Sequence, residues 1–169
     1  AGEKLGAVIF WIMGGLWPAS WDSVAISAPP IILGVALIMI FSKDLNAMLM
    51  GEEVASSLGV NVDFAMKALI ILSSLLVASA VAVSGTIGFV GLVIPHMLRL
   101  IVGPDHRILL PTSCLFGATF LVLADLAAKL VVAPAELPVG IITASIGAPF
   151  FIYLLRTRKK TIGLGGRMS

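Results

Sequence analysis

Charged residues are scarce in this chain. Only 12% of its 169 residues are Asp, Glu, Lys or Arg, about half the share of an average soluble domain, and the mean hydropathy is +1.12. This composition excludes a soluble globular domain. Cysteine is nearly absent: Cys114 stands alone in an apolar run, which excludes a disulfide framework and predicts a small core residue.

Catalytic and nucleotide-binding motifs are also absent. The sequence has no nucleophile–base pair and no H-E-x-x-H motif, so an enzyme is not indicated. Gly85, Gly88 and Gly91 recur every three residues, but they lie in an apolar run, where close helix packing is the better interpretation. His96 and His106 lack further ligands at a suitable spacing, so no metal site is predicted.

Long uncharged runs dominate the chain and predict an all-α, polytopic membrane protein. Ser23 to Ser42 holds no charge over 20 residues, about 30 Å of helix, which matches a bilayer core. The predicted spans are residues 23–42, 64–83, 86–102, 108–126 and 139–155. Residues 1–22, with three tryptophans, predict an interfacial helix or the tail of a truncated span. The chain opens without an initiator Met or a basic leader, which suggests a fragment.

Residues 43–63 are the one long polar interruption. This stretch carries five charges in 21 residues, and its apolar residues repeat at helical spacing on either side of Gly51. Glu52 and Glu53 suit a helix start, and Gly59 suits a helix end. The pattern predicts two short amphipathic helices exposed on one side of the membrane.

The distribution of basic residues predicts the orientation. With five spans, nine of the 11 Lys and Arg residues lie on the side of the polar loop and the C-terminus. Basic residues favour the cytoplasmic side, so this side is predicted to be cytoplasmic. If residues 86–98 are instead re-entrant, the chain has four spans, and the 11 basic residues divide eight to three between the two sides of the membrane. Length and the Ser84-Gly85 turn favour five.

Several segments resemble the membrane subunits of ATP-binding-cassette importers for iron–siderophore, haem and cobalamin, the FecCD-type permeases. The similar segments, in chain order, are WIMGGLWPASW (Trp11–Trp21), MGEEVASSLGVNV (Met50–Val62), SGTIGFVGLVIPHMLRLIVGPDHRILLP (Ser84–Pro111), LADLAAKL (Leu123–Leu130) and APAELPVGIITASIGAPFFIYLL (Ala133–Leu155). The resemblance covers the C-terminal half of such a permease. It implies a periplasmic helix in residues 1–22, then transmembrane helices six to ten, with residues 43–63 as a cytoplasmic coupling loop.

The resemblance also implies partners. They are a cytoplasmic ABC ATPase, a periplasmic or lipid-anchored substrate-binding protein, a second permease copy and membrane lipid, but no nucleic acid. No cofactor binds directly, because ATP acts through the ATPase. The residues expected to receive the ATPase are Gly51, Glu52, Glu53, Val54, Ala55, Leu58 and Gly59, with Val54 and Leu58 as apolar contacts and the glutamates as a polar rim.

Further residues take expected roles from the same resemblance. Lys129 aligns with a basic position that meets acidic residues of the binding protein, and a pair with Asp125 at i, i+4 is the competing interpretation. Glu136 and Trp17 are weaker candidates for the same surface. His96, Arg99 and Arg107 are expected to brace the coupling loop or the ATPase because of their position, at or just after the predicted cytoplasmic end of the third span. A zinc or manganese permease and a small non-transporting assembly protein remain alternatives.

Overall fold

The computed structural model describes residues 9, 11–16, 19–131 and 137–164, and every regular element in this part of the chain is an α-helix. Residues 11–13 are helical. The helices that follow are α1 (Trp21–Ile40), α2 (Ser42–Met48), α3 (Glu52–Ser57), α4 (Val62–Ser84), α5 (Val90–Val102), α6 (His106–Val131) and α7 (Val139–Leu164).

Three helices in the described part are long and apolar enough to cross a membrane: α1, α4 and α6. They contain most of the predicted spans 23–42, 64–83 and 108–126. Helix α5 and the apolar part of α7, Val139–Leu154, are shorter. The all-α prediction is confirmed, and the count of five spans stays a prediction.

The predicted span 86–102 is helical only from Val90 onward, which corrects its start. Gly85 ends α4 with φ 67° and ψ −166°, a conformation open almost only to glycine. Phe89 precedes α5 with φ 67°, the one positive φ of a non-glycine residue in the described part of the chain. These two conformations interrupt the helix, and the residues between them form a separate connecting segment.

The helices pack as two groups. Helix α1 lies on α4, where buried Gly34 leaves room for Leu76: a Cβ at Gly34 would lie 2.7 Å from the Leu76 Cδ2 atom. Helices α5, α6 and α7 contact one another, and α5 and α6 share a buried apolar cluster of Ile94, Leu98 and Leu109. Cys114 is exposed on α6, so its predicted core position is wrong.

Three chain segments meet backbone to backbone at one end of the bundle. The Gly15 N–H donates to the Ser84 carbonyl oxygen over 2.9 Å, and the Gly140 N–H donates to the Gly14 carbonyl oxygen over 3.4 Å. The Thr86 hydroxyl donates to the Ile12 carbonyl oxygen. We call the contact of residues 11–16, 84–86 and 138–140 the backbone junction. It fixes the connecting segment against the start of α7.

Candidate functional site

The polar loop forms a pair of short helices with exposed faces, at the end of α4 opposite the backbone junction. Helix α2 follows α1 after the single residue Phe41, and Gly51 separates it from α3. Asn61 then caps α4, because its side-chain oxygen accepts the Phe64 N–H over 3.1 Å. The rings of Phe41 and Phe64, with centroids 6.4 Å apart, lie where the loop joins α1 and α4.

Apolar side chains on this loop face solvent. Met50 is 69% exposed, Leu58 65%, Leu49 51% and Val54 40%, whereas Ala55 on the inner face of α3 is fully buried. A cluster of exposed apolar side chains outside a membrane span is a common mark of a docking surface. We call Leu49, Met50, Val54 and Leu58 the apolar patch.

Acidic residues lie beside the apolar patch. Glu52, Glu53 and Asp63 are exposed and line an open cavity of about 580 Å³ together with Ser56, Val60, Asn61 and Val62. Among the described residues no basic side chain lines this cavity, so its rim carries negative charge. A partner that covers the patch would therefore meet an apolar centre and an acidic edge.

Gly51 and Gly59 set the two ends of α3. Both have positive φ, 110° at Gly51 and 88° at Gly59. At the C-terminal end, the Gly59 N–H donates to the Ser56 carbonyl oxygen and the Val60 N–H donates to the Ala55 carbonyl oxygen, each over 3.0 Å. This is the Schellman arrangement, in which glycine satisfies the last helix carbonyls. The short helix therefore has a defined end that holds Leu58 in place.

A polar network joins the loop to the turn before α6. The Asn46 Nδ2 atom donates to the Asp105 Oδ1 atom over 2.6 Å. The Asn46 Oδ1 atom lies 2.8 Å from the His106 backbone nitrogen and 2.9 Å from the His106 Nδ1 atom. Asp105 Oδ1 also accepts the Arg107 N–H over 2.9 Å. We call Asn46, Asp105 and His106 the tether.

The chemistry of the tether fixes its proton positions. The His106 backbone nitrogen can only donate, so the Asn46 atom facing it is the oxygen, and the amide nitrogen faces Asp105. His106 Nδ1 then carries a proton. The Arg107 N–H and the Asn46 amide, which both donate to the Asp105 carboxylate, hold the pKa of that carboxyl below its ordinary value of 3.8. Asp105 is therefore ionised at neutral pH and accepts both bonds as a carboxylate.

Of the residues expected to brace the loop or the ATPase, Arg107 contributes its backbone N–H to the tether turn, and the charge of Arg99 acts on His106. The His96 ring contacts Phe150 of α7 edge to face, with centroids 6.2 Å apart, and the side chains of Arg99 and Arg107 are exposed. The bracing contacts that the structure does contain come from Asn46, Asp105 and His106. Sequence reasoning missed Asn46; its one signal is that it is the only amide side chain in the first half of the polar stretch.

The three recurring glycines do not form one helix strip, because Gly85 and Gly88 precede α5. A Cβ at Gly85 would lie 2.1 Å from the Trp11 carbonyl oxygen, so Gly85 does permit a close approach, at the backbone junction. A Cβ at Gly88 or Gly91 would meet nothing within 4 Å among the described residues. A further close approach involves Gly147 of α7, where a Cβ would lie 2.3 Å from the Phe89 Cβ atom.

An open, mostly apolar cavity of about 510 Å³ borders the connecting segment. It is lined by Met13, Thr86, Gly88, Phe89, Gly140, Ile141, Ala144 and Ser145. The cavity lies between the connecting segment and the first turns of α7, far along the bundle from the tether. We call it the inter-helix cavity.

Of the three residues expected to dock the binding protein on the opposite membrane face, only Lys129 is among the described residues. The Lys129 Nζ atom lies 2.7 Å from the Asp125 Oδ2 atom, and the Lys129 side chain is 56% exposed. The intrahelical pair therefore exists, and an exposed pair of this kind leaves the lysine accessible to a partner. Glu136 and Trp17 lie outside the described residues.

Comparison with known proteins gives consistent matches. The profile of the FecCD transport family covers residues 1–157. The chain is 46% identical over 159 residues to the cobalamin import system permease protein BtuC of Halobacterium salinarum, a match that covers 94% of this chain and 42% of that protein. It is 43% identical over 162 residues to the hemin transport system permease protein HmuU of Yersinia pestis, a match that covers 95% of this chain and 48% of that protein.

Two further matches extend this picture. The Fe(3+) dicitrate transport system permease protein FecD of Escherichia coli is 44% identical over 153 residues, covering 90% of this chain and 48% of that protein. A solved structure of an ABC transporter of the metal-chelate type, in an inward-facing conformation, superposes with a TM-score of 0.84 at 40% identity. The match covers 92% of this chain and 50% of that one. The chain thus spans about half the length of the relatives it matches.

Proposed function

The chain belongs to the FecCD transport family, and we propose that it is the C-terminal half of the permease of an ATP-driven importer for iron–siderophore, haem or cobalamin. The relatives are named as permeases for cobalamin, hemin and ferric dicitrate. The observation that carries the proposal is the exposed apolar patch on a charged loop that joins two membrane-length helices. Such a surface suits a partner outside the membrane that supplies the energy for transport.

The Asn46–Asp105 contact supports a five-span topology. At 2.6 Å it holds the polar loop beside the turn at residues 103–107, which favours a topology with both on one side of the membrane. A four-span chain with residues 86–98 re-entrant would separate them by a bilayer core of about 30 Å. With five spans, the excess of basic residues assigns the polar loop and the C-terminus to the cytoplasm of a multi-pass inner-membrane protein.

We assign the apolar patch to a separate cytoplasmic ABC ATPase. The centre of an interface is apolar and depleted in charge, and its edge is polar. Leu58 and Val54 would form the apolar centre here, with Glu52 and Glu53 at the edge. The permease itself binds no nucleotide in this scheme. ATP acts through the ATPase, whose movement tilts α1 and α4 through the loop between them.

The test is substrate uptake into proteoliposomes that contain the complete permease with this chain, the ATPase and the substrate-binding protein. We expect uptake of one chelate class that requires both ATP and the binding protein. The matched control is the same assembly with an ATPase that cannot hydrolyse ATP. A wild-type permease that neither recruits an ATPase nor supports uptake of ferric siderophore, haem or cobalamin would overturn the proposal.

Lys129 is proposed as a docking charge for the binding protein on the periplasmic face. Lys129→Glu should weaken association by about three- to tenfold at low salt, because charges at an interface rim steer binding, and the loss should shrink as salt screens it. The matched control is Asp125→Asn, which removes the 2.7 Å pair and leaves the lysine charged. Affinity is measured by titrating binding protein onto reconstituted permease. Equal affinity of wild type and Lys129→Glu at low salt would exclude this role.

A further inference from the structure

We infer that Asn46 is a positioning residue that connects the coupling loop directly to α6, so that movement of the ATPase reaches the α5–α6 pair as well as α1 and α4. This inference rests on the proposed function, since it assigns a second route to the same loop. The chain itself links the loop only to α1 and α4. The tether adds a third attachment between residues about sixty positions apart in sequence.

The contacts of the tether are suited to passing a movement of α2 on to α6. Asn46 makes hydrogen bonds with both oxygen and nitrogen of its amide, so a shift of α2 in either direction stretches at least one of them. One of these bonds ends on an ionised carboxylate, and such bonds are stronger than those between neutral groups. Helix α2 also packs against α6. The contact is therefore both oriented and supported by neighbouring side chains.

Helices α5 and α6 receive the movement as one body. Their shared cluster buries Ile94, Leu98 and Leu109, with Val90, Val102 and Phe120 packed around it. Close-packed interiors resist deformation and pass displacement on. Asp105 and His106 lie at the turn between the two helices, so the tether acts on both at once.

The far end of this body borders the inter-helix cavity. Phe89, the residue before α5, holds a left-handed backbone conformation with φ 67° and lies against Gly147 of α7. Non-glycine residues in this conformation are strained and persist only where the surroundings hold them. Phe89 also lines the cavity. A displacement of α5 started at the tether therefore changes the cavity at the other end of the helix.

A substitution that turns the tether repulsive tests this route. Asn46→Asp places a second carboxylate within 2.6 Å of Asp105. We expect ATP-driven uptake in the complete transporter to fall about tenfold at neutral pH, since two carboxylates this close cannot both be ionised without cost. ATPase association should stay within about twofold, because Asn46 lies outside the apolar patch.

Acid should reverse the loss. The ionisable side chains that face Asn46 are Asp105 and His106, and the charges of Arg99 and Arg107 act on these two. At about pH 5.5 one shared proton lets the carboxyl group introduced at position 46 donate to Asp105, as the amide does, so uptake relative to wild type at the same pH should recover several-fold. The double variant Asn46→Asp with Asp105→Asn removes the like charge and should recover part of the uptake at neutral pH. Recovery is only partial, because the atom of residue 105 that faces position 46 also has to accept the Arg107 N–H.

The matched control is Asn61→Asp, the same chemical change in the same loop. Asn61 caps α4 and also borders the acidic cavity, and a carboxylate there still accepts the Phe64 N–H. Any loss of uptake in Asn61→Asp should therefore accompany weaker ATPase association, whereas Asn46→Asp should lose uptake at nearly unchanged association. Wild-type uptake by Asn46→Asp, or a loss that neither acid nor the double variant relieves, overturns the inference. Failure of the proposed function is distinct, since the wild-type permease would then recruit no ATPase.

Discussion

Leu58→Asp should abolish the ATP hydrolysis that substrate and binding protein stimulate in the complete transporter. The side chain is 65% exposed at the end of α3 and is free to enter an interface. Burying a leucine contributes about 1.5–3 kcal/mol, and an unpaired carboxylate at the same place adds a desolvation cost. Together these effects should weaken ATPase binding by about a hundredfold or more.

The controls separate the apolar contact from net charge. Leu58→Met keeps an apolar side chain of similar volume and should retain stimulated hydrolysis. Ser57→Asp adds the same charge at the adjacent exposed position and should cause a smaller loss. Hydrolysis is measured in proteoliposomes, and association by co-purification of the ATPase. Unchanged stimulation in the Leu58→Asp transporter would remove the apolar patch as the ATPase site.

Gly59→Pro offers a second way to displace the same side chain. Proline fixes φ near about −65°, whereas Gly59 has φ 88° and donates its N–H to Ser56. The end of α3 cannot form with proline, so Leu58 loses its position and stimulated hydrolysis should fall to the basal rate. Gly59→Asn is the control, because asparagine tolerates positive φ better than other non-glycine residues.

Gly85→Ala should destabilise the folded chain strongly. The added Cβ would lie 2.1 Å from the Trp11 carbonyl oxygen and 3.2 Å from the Gly14 Cα, and these backbone atoms cannot move aside without opening the backbone junction. The conformation, φ 67° and ψ −166°, is itself costly for alanine. Strain and overpacking together should lower the free energy of unfolding by about 2–5 kcal/mol.

Gly88→Ala is the matched control, three residues away in the same connecting segment. Its Cβ would meet nothing within 4 Å among the described residues, so stability should change by less than about 0.5 kcal/mol. Thermal unfolding of the purified protein in detergent measures both variants. Equal melting temperatures would mean that the junction does not hold the fold together.

The long helices were predictable because their sequence leaves one solution. An uncharged run of bilayer length can satisfy its backbone groups only as a helix. The predicted segments 64–83 and 108–126 accordingly lie within α4 and α6, and 23–42 overlaps α1 except for its last two residues. The glycines at 51 and 59 also marked real turns, since both have positive φ. Local composition decided each of these features.

The start of α5 and the tether were not predictable in the same way. Gly85 ends α4 because residues 11–14 approach it, and no local pattern reports that contact. Asn46 meets Asp105 across 59 positions, and a single amide in a polar stretch has many possible partners. His96 and Arg99 looked suited to bracing because they lie close to the predicted cytoplasmic end of the third span. The contact needs a side chain that donates and accepts at once. Arginine only donates, and the ring of His96 packs against Phe150 instead.

The short length of α5 has a consequence for how well the membrane is sealed at this place. Helix α4 rises about 34 Å over its 23 residues, whereas α5 rises only about 20 Å over 13. When both cross one bilayer, residues 85–89 have to cover much of the missing length of about 15 Å. They are not extended throughout, because Phe89 is left-handed and the Val90 N–H turns back to the Gly88 carbonyl oxygen. Their backbone groups then lie at membrane depth, where exposure to lipid tails costs several kcal/mol per unpaired group. Protein already pairs part of them: the Gly88 carbonyl oxygen accepts the Val90 N–H, and the Phe89 carbonyl oxygen accepts the Val93 N–H, each over 2.9 Å. Where α5 crosses the bilayer, we expect the rest to be shielded from lipid by the backbone junction, so the seal of the membrane at this place depends on that contact.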